Sequence, residues 1–305
     1  MSILISFRRT TARTGSIAAC LFGLLQTANA QNASSSLPDV TSAAYKSGFT
    51  LFNPTPDASL RSFSTDRPTK SNSPYTVDAG RFQYETDLVN YTYSNFAGVK
   101  TRTYQAFDPV WKLGVTNFAD VEIQFNGYQH MTMSDSATGA VLSRDYGFGD
   151  VLFRTKVNLI GNEGGIAALA LIPYVKAPSG TPNISNGLVE GGVIAPLRIA
   201  LNNDYGIILM SEVDVLKNAN SSRRHANFAN LINLSGPVPG IKDLIAYVEF
   251  YSAVGTDPNV PAIYTFDTAL SYNITPTLQV DIGANFGLNK AAPKVQLYTG
   301  VSQRF

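Results

Sequence analysis

The feature that most constrains this chain is a strict two-residue alternation sustained over long segments. Leu278, Val280, Ile282, Ala284, Phe286 and Leu288 share one face, and Gln279, Asp281, Gly283, Asn285 and Gly287 share the other. A period of two describes a strand with one apolar and one polar side. Val121, Ile123 and Phe125 oppose Asp120, Glu122 and Gln124 in the same way. Val151, Phe153, Thr155, Val157 and Leu159 oppose Asp150, Arg154, Lys156 and Asn158, with Leu152 the exception. At ~3.3 Å per residue and ~45° tilt, about nine to eleven residues cross a bilayer core. Strands of soluble sandwiches run to about 5–6 residues. Strand length therefore points to an all-β transmembrane barrel.

The rest of the chain repeats the pattern. Strands are expected over 80–93, 99–113, 118–133, 146–160, 166–177, 187–201, 204–216, 226–235, 243–254, 262–273, 277–288 and 294–305. Short turn-like links at 114–117, 161–165, 202–203 and 273–276 alternate with longer polar ones at 134–145, 178–186, 217–225 and 255–261. Short turns on one side and long loops on the other are what a membrane barrel requires. About twelve strands, an even number, also returns the last strand beside the first and closes the sheet edges. The links 94–98 and 236–242 fit this alternation less well. Ile166 to Val175 is apolar on both faces, and Gly165 before it with Pro173 inside it favour a strand over a helix. Gly164-Gly165 and Gly191-Gly192 lack a following Lys-Ser/Thr and are not phosphate loops.

The N-terminus supplies the address. Arg8, Arg9 and Arg13 precede a short apolar core, Gly15 to Leu25, and Ala28-Asn29-Ala30 places small residues where a signal peptidase reads. Cleavage is expected after Ala30, because about eleven apolar residues are too few to span a bilayer as a helix. Residues 1–30 are then a signal peptide, 31–79 a flexible arm or partial plug, and 80–305 the barrel. Cys20, the one cysteine, leaves with the leader, so disulfides and thiolate metal sites are excluded. No mature segment approaches 18 consecutive apolar residues, which excludes an inner-membrane helix. A formal charge of +1 provides no basic field for nucleic acid.

The final strand ends on Phe305, with Val295, Leu297 and Val301 on its face. An aromatic C-terminus on an alternating strand resembles the signal read by the barrel assembly machinery; Gln303 departs from that pattern. The chain as a whole resembles the outer-membrane transporter-like family labelled "MetA pathway of phenol degradation". Thr65-Asp66-Arg67-Pro68 and Gly80-Arg-Phe-Gln-Tyr-Glu85 carry the resemblance at the start, and Gly147-Phe-Gly-Asp-Val151 with Lys156 in the middle. Leu278-Gln-Val-Asp-Ile-Gly283 and Gly287-Leu-Asn-Lys-Ala-Ala-Pro293 carry it at the end. The resemblance implies an outer-membrane barrel with a transport role and no settled substrate.

An apolar face toward lipid leaves the other face to line the lumen. The inward set is expected to hold Arg81, Glu85, Asp87, Glu122, Arg154, Lys156, Glu190, Arg198, Glu212, Asp214, Glu249, Asp267 and Asp281. An Arg or Lys facing lipid at mid-depth would cost ~2–4 kcal/mol. Such a lining sets selectivity in an open pore, where its acidic excess favours cations or neutral solutes. In a narrow barrel the same groups form a salt-bridged filling without conduction. Asp66 and Arg67 either fold into the lumen as a plug or cap the periplasmic rim. The expected function is passive passage of small solutes, with hydrophobic or aromatic compounds as candidates. A non-conducting structural barrel, a surface hydrolase and an adhesin are the alternatives. The two histidines, His130 and His225, sit near outer strand ends; Ser134 and Asp135 follow His130, but no catalytic motif surrounds it. No cofactor or metal is expected, and the expected partners are outer-membrane lipid and the assembly machinery.

Overall fold

The computed structural model describes residues 45–305 apart from Asn203. The expected leader, its cleavage after Ala30 and Cys20 lie outside the described residues.

One antiparallel sheet runs through β1 (Phe82–Phe96), β2 (Val99–Ala106), β3 (Val110–Thr116), β4 (Ala119–Phe125), β5 (Tyr128–Asp135), β6 (Val141–Phe148) and β7 (Val151–Ile160). It continues through β8 (Ala167–Ala177), β9 (Glu190–Ala200), β10 (Gly206–Lys217), β11 (Arg224–Pro237), β12 (Leu244–Gly255), β13 (Ile263–Thr275), β14 (Leu278–Gly287) and β15 (Val295–Arg304). β1 pairs with β15 from Gln83↔Arg304 to Tyr93↔Val295, which closes the sheet into a barrel. Closure removes the two edges an open sheet would leave unpaired.

Fifteen segments make twelve staves, because three staves are interrupted. β1 pairs with β2 along its second half and with β3 along its first, so β2 and β3 are one stave broken at residues 107–109. β4 and β5 form the next, broken at 126–127, and β6 and β7 the fourth, broken at 149–150. The breaks align across the wall. Pro109 has no N–H to donate, and Phe107 turns to φ 54°. Gly127 then donates its N–H to Asp108 at 3.0 Å, while a Cβ at Gly127 would lie 2.1 Å from the Phe107 carbonyl. The sequence pattern predicts these three strands as unbroken. It also places residues 134–145 in a long loop, whereas the structure extends the hairpin to Val141 and leaves only 136–140 as loop. Val141-Leu142-Ser143-Arg144 carries no apolar alternation, so its strand character comes from pairing with β5.

Burial is inverted relative to a soluble protein. Lys112, Lys156, Glu85, Glu122 and Glu249 are among the largest fully enclosed side chains, while Val121, Phe153, Ile282 and Leu297 stand exposed. The outer surface is solvated by hydrocarbon and the interior carries the charges, as a transmembrane barrel demands. Turns at 117–118, 161–166, 201–205, 238–243 and 276–277 lie at one end, here the turn end. The links at 97–98, 136–140, 178–189, 218–223, 256–262 and 288–294 lie at the loop end. The link at 97–98 is a two-residue turn, tight because Ala97 and Gly98 both adopt positive φ.

Candidate functional site

Residues 61–77 enter the barrel from the turn end, cross the lumen and return. Both feet of this loop hold the same corner. Arg61 donates to the Asn117 carbonyl at 2.9 Å, and the Thr76 hydroxyl donates to that carbonyl at 3.3 Å. Asn162 accepts the Thr76 N–H at 3.1 Å, and Asp120 accepts the Val77 N–H at 2.8 Å.

Between the feet, the wall grips the loop through its backbone. Glu85 on β1 accepts the consecutive N–H groups of Asp66 and Arg67, each at 3.0 Å to one carboxylate oxygen. On β12, Glu249 accepts the consecutive N–H groups of Lys70 and Ser71 at 3.2 and 3.1 Å. Asn233 also donates to Glu249, at 3.1 Å. Each carboxylate replaces the water that two adjacent amides would otherwise need.

The loop side chains complete the fit by charge. Asp66 sits among three cations: Lys112 at 2.6 Å, Lys156 at 2.9 Å and Arg154 at 3.6 Å. It also accepts the Ser73 N–H at 2.8 Å, tightening the loop on itself. Glu85 and Glu122 share those cations, Lys112–Glu85 at 2.5 Å and Arg154–Glu122 at 2.8 Å. Arg67 reaches the other side, bridging Asp281 through two nitrogens at 2.6 and 3.0 Å and pairing with Asp87. Lys70 pairs with Asp267 and donates to Thr265 at 3.0 Å. Burial alone would raise the Asp66 carboxyl, but the Lys112, Lys156 and Arg154 charges override it and hold it far below the usual carboxylate range. Burial would lower the Arg67 guanidinium, and Asp281 and Asp87 instead raise it above its ordinary value.

The inward set expected from alternation therefore divides. Glu85, Asp87, Glu122, Arg154, Lys156, Glu249, Asp267 and Asp281 gather around the loop. Among the described residues, Glu190, Arg198, Glu212 and Asp214 make no hydrogen bond or ion pair with it. Glu190 pairs with Lys176 at 2.9 Å near the loop end, and Asp214 accepts from Tyr174 at 2.7 Å and Asn227 at 3.0 Å. Glu212 lies two positions from Asp214 on the same face of β10. Arg198 lines a cavity of about 600 Å³ between the loop and the wall, with Arg61, Tyr247 and Arg304. Arg81 stays at the turn end, bonded to the Thr55 carbonyl at 2.6 Å. Asp66 and Arg67 are held across the lumen and not at its rim.

Sequence reasoning missed two parts of this site. Lys112 alternates with Trp111 and Leu113 and could have been placed inward. The second is an apolar patch on the lumen wall, formed by Ile172, Ile194, Met210 and Leu231 with Tyr174 and Tyr251 against it. The two-faced apolarity of Ile166 to Val175 was its signal. Asn72 rests on this patch, its N–H 3.4 Å from the Met210 sulfur, so the loop spans from the ionic wall to the apolar one.

The histidines do not form a site. His130 points outward opposite Tyr104, and His225 contacts Asn218 at 3.2 Å at the loop end. Among the described residues, no group of three or more His, Cys, Asp or Glu side chains is placed to hold a metal.

A family model described as "Putative MetA-pathway of phenol degradation" matches residues 65–305, which include most of the lumenal loop. Among solved structures, an outer membrane channel from Pseudomonas putida F1 matches with 14% identity and a TM-score of 0.55, covering 74% of this chain and 95% of that one. The transport unit of the autotransporter AIDA-I from Escherichia coli matches with 10% identity and a TM-score of 0.50, covering 73% and 89%. At these identities the likeness is one of fold. No curated protein matches the chain by sequence.

Proposed function

The chain belongs to the family described as "Putative MetA-pathway of phenol degradation", and from that premise we propose that it is an outer-membrane channel for small solutes. Its turn end faces the periplasm, as short turns do in barrels of this kind. The leader is removed after Ala30 during export, and Phe305 is read by the assembly machinery. The lumenal loop is the barrier. It is anchored at both feet at the turn end, so passage requires the segment between them to undock from the wall and swing toward that end.

The observation that carries this reading is the two-sided lumen. Ionic side chains clasp the loop on one wall, while Ile172, Ile194, Met210 and Leu231 offer an apolar surface on the other. A filled structural barrel has no use for an apolar stripe facing a polar loop. A path between such walls suits a solute with an apolar or aromatic body and a polar handle, because each part meets a matching surface. Catalysis is not part of this reading: the two histidines lie apart from the lumenal loop, His130 on the outer face and His225 at the loop end.

The test is swelling of proteoliposomes in phenylalanine against serine, two zwitterions that differ in their apolar body. The expected result is flux of both, with Ile194→Asn and Met210→Asn together lowering the phenylalanine-to-serine ratio. Absence of flux for both, in folded protein whose loop has been loosened, contradicts the channel; an unchanged ratio contradicts the apolar path.

A further inference from the structure

Above the aligned breaks, β1, β2, β5 and β6 continue as a wall that carries an outward basic row. Register fixes its order. Tyr91 pairs with Tyr104, Tyr104 with His130, and His130 with Tyr146. The Tyr91 and Tyr104 ring centroids lie 4.9 Å apart, with the rings tilted at 42°. One row nearer the loop end, Tyr93 pairs with Arg102, Arg102 with Thr132, and Thr132 with Arg144. Both arginines are therefore direct neighbours of Thr132 on adjacent strands, with opposing Cβ atoms about 5 Å apart in each pair. Both are exposed, and neither pairs with a carboxylate among the described residues.

Depth follows from strand arithmetic. Phe82 lies against Phe305 at the turn end, with ring centroids 6.0 Å apart. Tyr91 lies nine residues along the same stave, about the length that crosses a hydrocarbon core at the usual tilt. The tyrosine row, with Tyr128 and Phe148 below it, is thus the second aromatic girdle, since tyrosine seats its ring at the apolar boundary and its hydroxyl in the headgroups. Arg102 and Arg144 stand one row beyond, about 5 Å further out at that tilt. This is the level of lipid headgroups, above the level of acyl chains and below that of the surrounding solution.

We propose that Arg102 and Arg144, bracketing Thr132, bind the phosphate of a phosphorylated lipid headgroup in the outer leaflet, whose acyl chains lie along the wall below Tyr128 and Phe148. Charge complementarity supports the occupant. The outward positions of this wall hold no Asp or Glu, and Asp135 lies opposite Val99 on the other face. Two guanidinium forks present paired N–H donors that match phosphate oxygens, and Thr132 adds a hydroxyl between them. Arg102 also lies over the Tyr93 ring at 5.7 Å, which aligns its guanidinium without consuming its charge. The site belongs to the outer wall and is independent of solute passage through the lumen.

The test is native mass spectrometry of the folded protein in detergent micelles, with diphosphoryl lipid A as the probe. Retention of this lipid by the wild-type protein is expected, with a loss of about tenfold or more for R102Q/R144Q, as two headgroup charges imply. The same loss is expected when wild-type protein meets lipid A stripped of its phosphates. Equal retention of the dephosphorylated lipid, or of diphosphoryl lipid A by the double variant, overturns the proposal. Full displacement by millimolar inorganic phosphate assigns the site to free phosphate and overturns the lipid assignment. Should the double variant fail to fold, the wild-type comparison of the two lipids decides alone.

Discussion

Replacing Asp66 with Asn should loosen the lumenal loop while leaving the barrel intact. Its carboxylate faces Lys112 at 2.6 Å, Lys156 at 2.9 Å and Arg154 at 3.6 Å, and its side chain is 15% exposed. Removing one partner of a buried ion pair costs about 3–5 kcal/mol. Glu85 and Glu122 remain to hold the three cations, which brings the expected loss to about 2–3 kcal/mol. That corresponds to a rise of about 30- to 150-fold in the undocked loop population. Trypsin reads this population. Pro68 protects the bond after Arg67, so cleavage after Lys70 reports exposure of the loop. In folded D66N the Lys70–Ser71 bond should be cut about 30-fold faster or more, in proportion to the open population, and steady conductance in planar bilayers should rise. An unchanged cleavage rate and unchanged conductance in folded D66N would refute the idea that charge holds this loop.

Acid should release the loop in the same way. The docked Asp66 carboxyl sits far below the ordinary range, so its contribution to docking is complete above about pH 5 and fades progressively as pH falls through the undocked value of about 3.9 toward the far lower docked one. Conductance should rise reversibly over that window in the wild-type protein and rise less in D66N, and a flat wild-type profile would count against the sign. Gly300→Ala should act through sterics, since its Cβ would lie 2.3 Å from an Arg67 nitrogen and 2.4 Å from the Thr86 carbonyl. A destabilisation of about 1–3 kcal/mol on urea unfolding, with faster cutting after Lys70, is expected, against no effect for Gly48→Ala, where the space is open. Deleting Phe305 should reduce the heat-modifiable folded form on gels, and undiminished folding would remove its role in assembly.

Alternation with length made the barrel legible, because a lipid-facing strand has no other way to hide its polar residues. Leu278 to Leu288 shows this most cleanly: Gln279, Asp281 and Asn285 are buried, while Ile282, Phe286 and Leu288 are exposed. The three stave breaks were not legible. Pro109, Gly127 and Gly149 are ordinary strand punctuation taken singly, and only their alignment across neighbouring staves gives them meaning. The lumenal loop was hidden for a different reason. Residues 61–77 have no period, and their hold on the wall runs largely through backbone N–H groups that every residue possesses. Glu85 and Glu249 could be placed inward, but nothing in their own segments says that each clasps two amides of a distant loop. Arg67 and Asp281 are 214 residues apart, and only the closed barrel brings them together.

The claim that this barrel is a solute channel with a lumenal loop as its barrier is tested most directly by single-channel recording of the wild-type protein beside D66N/R67Q. The expected result is small, infrequent conductance in the wild-type protein and frequent, larger openings in the double variant, with both proteins heat-modifiable on gels. No conductance in either folded protein would contradict it, and would leave the chain a filled barrel whose charges serve only to hold its own loop.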